Sequence, residues 1–142
     1  MGMSRIFWDT NLFIYLLEPN EEFSPMTKEL RIKMLRRGDV LLTSTISLGE
    51  VLIKPMQAGD EQRCRKYERA ITSAATLVPF DIKAARHYAS IKSSRVITPP
   101  DAVQLSCAAT VGVDLFITND DRLQNKQIPG IQFIVPLQRV PI

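Results

Sequence analysis

The chain has 142 residues, 45% hydrophobic and 23% charged, the proportions of a globular protein long enough to bury a core. Its 18 Lys and Arg against 15 Asp and Glu leave a net charge of +3, which permits a polyanionic partner without demonstrating one. Two cysteines, Cys64 and Cys107, with no CxxC pair exclude a disulfide framework, and the apolar run at 12–17 is too short to span a bilayer. A cytoplasmic protein with reduced thiols is therefore expected, with no signal peptide and no membrane segment, its residues 1–142 forming one domain.

No structure is expected of the opening Met1-Gly2-Met3. Ile6-Phe7-Trp8 is an apolar run that stops at Asp9 and reads as a buried strand. Residues 12–18 suggest a helix ended by Pro19. Ser24-Pro25 suggests a helix start, with serine as cap and proline in the first turn. That helix should carry Leu30, Met34 and Leu35 on one side and stop at Gly38. A second strand is expected at 40–43, and a helix disturbed by Pro55 at 47–56. Asp60 should cap a helix running to about Ala75, with Cys64, Tyr67, Ala70 and Ile71 at helical spacing. A short strand at 76–78 precedes a helix at 82–93 capped by Asp81. Thr98-Pro99-Pro100-Asp101 opens a further helix, with Ala102, Leu105, Ala108 and Ala109 on its apolar stripe. Strands at 115–118 and 131–135 complete the pattern. Short, uniformly apolar strands alternating with helices predict an α/β fold, a parallel sheet with helices on both faces.

Ligands in such folds bind outside the carboxyl ends of the strands. Asp9 and Asp120 sit at two such ends; Glu50 and Asp101 sit near helix starts. Each acid has an ordinary alternative role. Asp9 suits an N-cap. Ser47-x-x-Glu50 matches a capping box, which for Glu50 alone is the better reading. Asp101 suits the first turn of a helix, and Asp120 suits a turn. The set is more telling than its members. Two carboxylates about 4 Å apart repel by roughly 4 kcal/mol at an effective dielectric near 20, so four that converge call for a hard cation. With those four drawn into one pocket, the remaining surface is distinctly basic.

Four stretches carry a resemblance: Phe7-Trp8-Asp9-Thr10-Asn11; Leu48-Gly49-Glu50-Val51; Pro100-Asp101-Ala102-Val103-Gln104-Leu105; and Ile117-Thr118-Asn119-Asp120-Asp121-Arg122-Leu123. In this order the chain resembles the PIN domain family, and within it the VapC-like toxins of toxin–antitoxin pairs, from about Arg5 to Val135. The resemblance implies a sheet of roughly five parallel strands and a metal-dependent endoribonuclease using Mg²⁺ or Mn²⁺. It implies an RNA substrate, a cognate antitoxin that covers the acidic pocket, and a homodimer. Carried over by position, Asp9, Glu50, Asp101 and Asp120 are the catalytic and metal-binding acids. Asn11 and Thr118 support them, and Asp121 is a second candidate beside Asp120. One departure is the continuation Gln104-Leu105-Ser106-Cys107, where alanine is commoner in the family.

On this reading Asp9 and Asp101 hold the principal ion, while Glu50 and Asp120 complete the site or orient water. A metal-free ribonuclease often needs two histidines; His87 is the only one in the chain. Lys54, Lys92, Arg95 and Arg122, and the cluster Arg63, Arg65, Lys66 and Arg69, could meet phosphates, although a solvated helix face explains them better. Phe7 and Trp8 are expected in the core. Two rivals are a catalytically silent module of the same fold that binds RNA or protein, and a phosphoacceptor receiver domain. The latter lacks its acidic pair beside Asp9 and a lysine after the 115–118 strand.

Overall fold

The computed structural model describes residues 4–142, so the opening triplet lies outside the described residues. The chain runs β1 (Arg5–Trp8), α1 (Thr10–Leu17), α2 (Phe23–Arg37), β2 (Val40–Ser44), α3 (Thr45–Gln57), α4 (Glu61–Ala74), β3 (Thr76–Val78), α5 (Ile82–Ser94), α6 (Pro99–Val111), β4 (Val113–Ile117) and β5 (Ile131–Val135). Single 3₁₀ turns follow at Asp121–Leu123 and Leu137–Arg139. The five strands form one sheet in the order β3-β2-β1-β4-β5, and every neighbouring pair is parallel. This is the α/β fold that the alternation of elements predicts.

Side-chain alternation along β1 builds two cores. Phe7 faces one layer, where it stacks on Phe116 with ring centroids 5.1 Å apart and meets Leu42, Val78, Ala84, Ile91 and Leu105. Ile6 and Trp8 face the other, with Leu12, Phe13, Leu30, Met34, Tyr67 and Ile71. Helices α5 and α6 thus cover one face, and α1 to α4 the other. Phe7 and Trp8 have no exposed surface, and Cys64 and Cys107 are buried free thiols. Burial pushes the Cys107 thiol up to about 11, so it is unreactive near neutral pH.

Several local expectations shift. Ser24 lies inside α2 rather than capping it; Asn20 Oδ1 takes that role, accepting from the amides of Glu22 at 3.1 Å and Phe23 at 2.8 Å. The Ser24 hydroxyl instead donates to the Tyr15 carbonyl, tying α2 to α1. Leu30 and Met34 are buried but Leu35 is 62% exposed, and Ala70 lies on the open side of α4. The helix α3 starts at Thr45 with Ser44 as its cap, so Ser47 is helical and the capping box with Glu50 does not form. It also runs through Pro55 to Gln57. Gly38 ends α2 with φ 75° in the left-handed region that glycine adopts freely. Gly130 sits where an added Cβ would lie 2.6 Å from the Ala109 carbonyl oxygen, so only glycine lets this loop approach α6. Among the described residues no helix is long and apolar enough to cross a membrane.

Candidate active site

The chain passes from β1 outward to β2 and β3, then returns to place β4 on the other side of β1. The carboxyl ends of β1 and β4 therefore flank the point where strand order reverses, the usual ligand crevice of such a sheet. A cavity of about 480 Å³ opens there, lined by Asp9, Glu50, Asp101 and Asp120 together with Asn11, Lys54, Gln104 and Arg122. All four acids named from the sequence reach one cavity. Asn11 lines it as well. Thr118 is fully buried beneath it. Asp121 is exposed, opens the 3₁₀ turn and is not among the lining residues.

Asp9 caps α1 at the end of β1. Its Oδ1 accepts from the Thr10 amide at 2.8 Å, and its Oδ2 accepts from the Thr118 hydroxyl at 2.8 Å. Thr118 Oγ1 in turn accepts from the Asp120 amide at 3.1 Å, linking the two strand ends. Burial holds the Asp9 carboxyl above its ordinary value against these two hydrogen bonds, and the charges of Asp101 and Glu50 add to the rise. All three acids line the same cavity.

Beneath Glu50 lies a buried polar floor that the sequence does not reveal. Gln104, 3% exposed, donates from Nε2 to Ser47 Oγ at 2.8 Å and to Thr10 Oγ1 at 3.0 Å. Its Oε1 accepts from Ser44 Oγ at 2.6 Å. The Thr10 hydroxyl donates to Glu50 Oε1 at 2.6 Å, with Gln104 Nε2 a further 3.5 Å contact. Thr43 Oγ1 lies 2.8 Å from Ser47 Oγ and donates to the Trp8 carbonyl at 2.8 Å. One amide thus joins α1, α3 and α6, the helices that carry or border Asp9, Glu50 and Asp101. The departure from alanine at Gln104 is the one sequence signal that could have pointed to it.

The other two acids are held differently. Asp101 Oδ2 accepts from Thr98 Oγ1 at 2.9 Å, the reverse of a threonine cap. Asp120 accepts the Arg122 guanidinium as a fork: Nε to Oδ1 at 3.0 Å and Nη2 to Oδ2 at 2.7 Å. The same Nη2 lies 3.5 Å from Asp101 Oδ2. Hydrogen bonding from Arg122 holds the Asp120 carboxyl below its ordinary value.

Among the described residues no three acid, histidine or cysteine side chains stand close enough to form a ready metal cage. The four acids offer only oxygen donors, the kind a hard divalent cation takes, and among the described residues no cation pairs with Asp9, whereas Arg122 pairs with Asp101 and Asp120. Mg²⁺ keeps several waters, so four direct carboxylates are not required.

Other candidates lie elsewhere. Lys92 Nζ donates to the Ile97 carbonyl, and Arg95 holds the Gln127 carbonyl. Arg63 pairs with Glu18 at 3.0 Å; Arg65, Lys66 and Arg69 are exposed on α4. His87, half-buried on α5, does not line the cavity.

Among solved structures the fold is similar to that of VapBC2 from Rickettsia felis bound to a promoter DNA fragment, with a TM-score of 0.72, 16% identity and 93% and 98% of the two chains covered. DNA-bound VapBC from Salmonella typhimurium gives a TM-score of 0.72 at 23% identity over 95% and 99%. VapBC-5 from Mycobacterium tuberculosis gives 0.60 at 17% over 93% and 98%. No curated protein matches the sequence significantly. The family model of the PIN domain matches residues 6–128, a span that contains every acid of the cavity, and the chain belongs to the PIN domain family.

Proposed function

We propose that this chain is a metal-dependent endoribonuclease, using Mg²⁺ or Mn²⁺, and the toxin of a toxin–antitoxin pair. The observation that carries the catalytic part is the convergence of Asp9, Glu50, Asp101 and Asp120 on one cavity at the strand-order reversal of a PIN-family sheet. The toxin part is supported by structural neighbours described as VapBC complexes, one of them as a member of a family of toxin–antitoxin systems. A cognate antitoxin covering the acidic pocket and a homodimer belong to the same reading, as does a cytoplasmic location.

Asp9 and Asp101 would hold the principal cation, with Glu50 and Asp120 completing the site. A bound divalent ion supplies charge stabilisation for a phosphoryl group and acidifies water. The protein's own residues supply the arrangement. Thr10 and Thr118 keep both oxygens of Asp9 oriented. Thr10 and Gln104 occupy Oε1 of Glu50, leaving Oε2 free to face a ligand or orient a water. Lys54, exposed on the cavity wall one helical turn from Glu50, supplies a phosphate contact.

The test is RNA cleavage with and without Mg²⁺ or Mn²⁺, by the native chain and by Asp9→Asn and Asp101→Asn, with end-group analysis. The expected products carry 5′-phosphate and 3′-hydroxyl ends, and EDTA abolishes them. Cyclic 2′,3′-phosphate ends would overturn the mechanism. A growth effect that survives both substitutions would favour a silent binding module instead.

A further inference from the structure

Resting on the metal-site reading above, we propose that Arg122 is a resident counter-ion that occupies the cation position between Asp101 and Asp120 and competes with the divalent ion for them. The two acids come from separate elements, the first turn of α6 and the loop after β4, yet a single guanidinium nitrogen reaches both. Arg122 Nη2 lies 2.7 Å from Asp120 Oδ2 and 3.5 Å from Asp101 Oδ2. Those two oxygens belong to the acids that would have to turn toward a cation. The forked contact to Asp120 is the strong, planar kind that lysine cannot reproduce.

The contact is built to open. The Arg122 side chain is 69% exposed, against 18% for Asp101 and 20% for Asp120. Exposed ion pairs contribute little, so the guanidinium leaves readily while the acids stay. Asp120 also keeps its orientation when the side chain departs, because the Arg122 backbone amide donates to Oδ1 at 3.0 Å. Among the described residues Asp9 and Glu50 have no such partner; all their hydrogen-bond donors are neutral. The metal-free cavity is therefore half neutralised by the chain itself. On displacement the guanidinium stands at the cavity mouth, free to receive a phosphate through the same fork. The substitution Arg122→Ala thus has two effects of opposite sign: tighter metal, weaker RNA.

The experiment is calorimetric titration of the full chain with Mn²⁺, for the native protein, Arg122→Ala, Arg122→Lys and the remote control Arg65→Ala. Displacing a competing contact lowers apparent affinity in proportion to the open fraction, so Arg122→Ala should bind Mn²⁺ about 2- to 5-fold more tightly. Arg122→Lys should fall between, and Arg65→Ala should match the native chain. The ¹⁵N resonance of Arg122 Nε should shift when Mg²⁺ saturates the native protein, and KM for RNA should rise in Arg122→Ala. Unchanged Mn²⁺ affinity in Arg122→Ala, equal tightening in Arg65→Ala, or an unmoved Nε resonance at saturation would each overturn the counter-ion role while leaving a metal site in place. Failure of every variant to bind Mn²⁺ would overturn the metal site and the counter-ion role together. Tighter Mn²⁺ binding without any RNA cleavage would support the counter-ion role and reject only the ribonuclease.

Discussion

Asp9 and Glu50 are oriented by neutral donors, whereas Asp101 and Asp120 share the guanidinium of Arg122. On the first side the hydroxyls and amide of Thr10, Thr118 and Gln104 lie buried, and they fix geometry without cancelling charge. Burial and like charges then raise the Asp9 carboxyl. On the second side an exposed cation cancels charge and lowers Asp120. One half is rigid and electrostatically uncompensated; the other is satisfied and movable. On the proposed function, a site of this kind is firm before its cation arrives and still adjusts when it does.

The sharpest way to break this contrast is to remove charge from the rigid half. Asp9→Asn should lower RNA cleavage by more than about 10²-fold, beyond the 10- to 100-fold typical of residues that only support a ligand. Single-turnover rates at saturating Mn²⁺ measure it. Substitution of the floor comes next. Gln104→Leu leaves the hydroxyls of Ser44, Ser47 and Thr10 without their buried partner. It should cost about 1–3 kcal/mol in urea unfolding and about 10- to 100-fold in cleavage. Native stability with full activity would show that the floor does not position Glu50.

The third effect is one of pH. Cation binding requires ionised Asp9, so Mn²⁺ affinity should fall as pH drops through its raised pKa, while Asp120, held low, stays ionised. The stability consequences have opposite signs. Because the folded-state pKa of Asp9 is raised above 3.8, its stabilising contribution is full below that value and is lost as pH rises through the folded value. Metal-free Asp9→Asn should then melt at a higher temperature than the native chain at neutral pH. A lower melting temperature would mean that the Thr10 and Thr118 hydrogen bonds outweigh burial. The contribution of Asp120 is present above 3.8 and lost as pH falls through its lower folded value. The smallest expected effect is that of Asp121→Asn, exposed and outside the cavity lining: about 0.5 kcal/mol or less in stability, with cleavage unchanged. A large loss of cleavage would place Asp121 in the site.

The strand–helix alternation and the parallel sheet were legible in the chain, because they rest on local periodicity; strand-end placement and short motifs in order also picked out four acids that line one cavity. What local pattern could not decide was which of two satisfied readings holds. Ser47-x-x-Glu50 is a valid capping box as a string; the helix nonetheless begins at Thr45, because Ser44 at the end of β2 already supplies the cap. Glu50, with no capping role, lines the cavity. Ser24 lost its cap in the same way to Asn20. The polar floor was further from view, since Thr10, Ser47 and Gln104 meet only once parallel pairing has set the register of β1, β2 and β4 and packed three helices over their ends. Arg122 lies within a recognised motif, yet its reach to Asp101 spans the gap between β4 and α6. Residue type and spacing carry chemistry that acts along the chain; hydrogen bonds and ion pairs across elements depend on distances that only the folded packing creates.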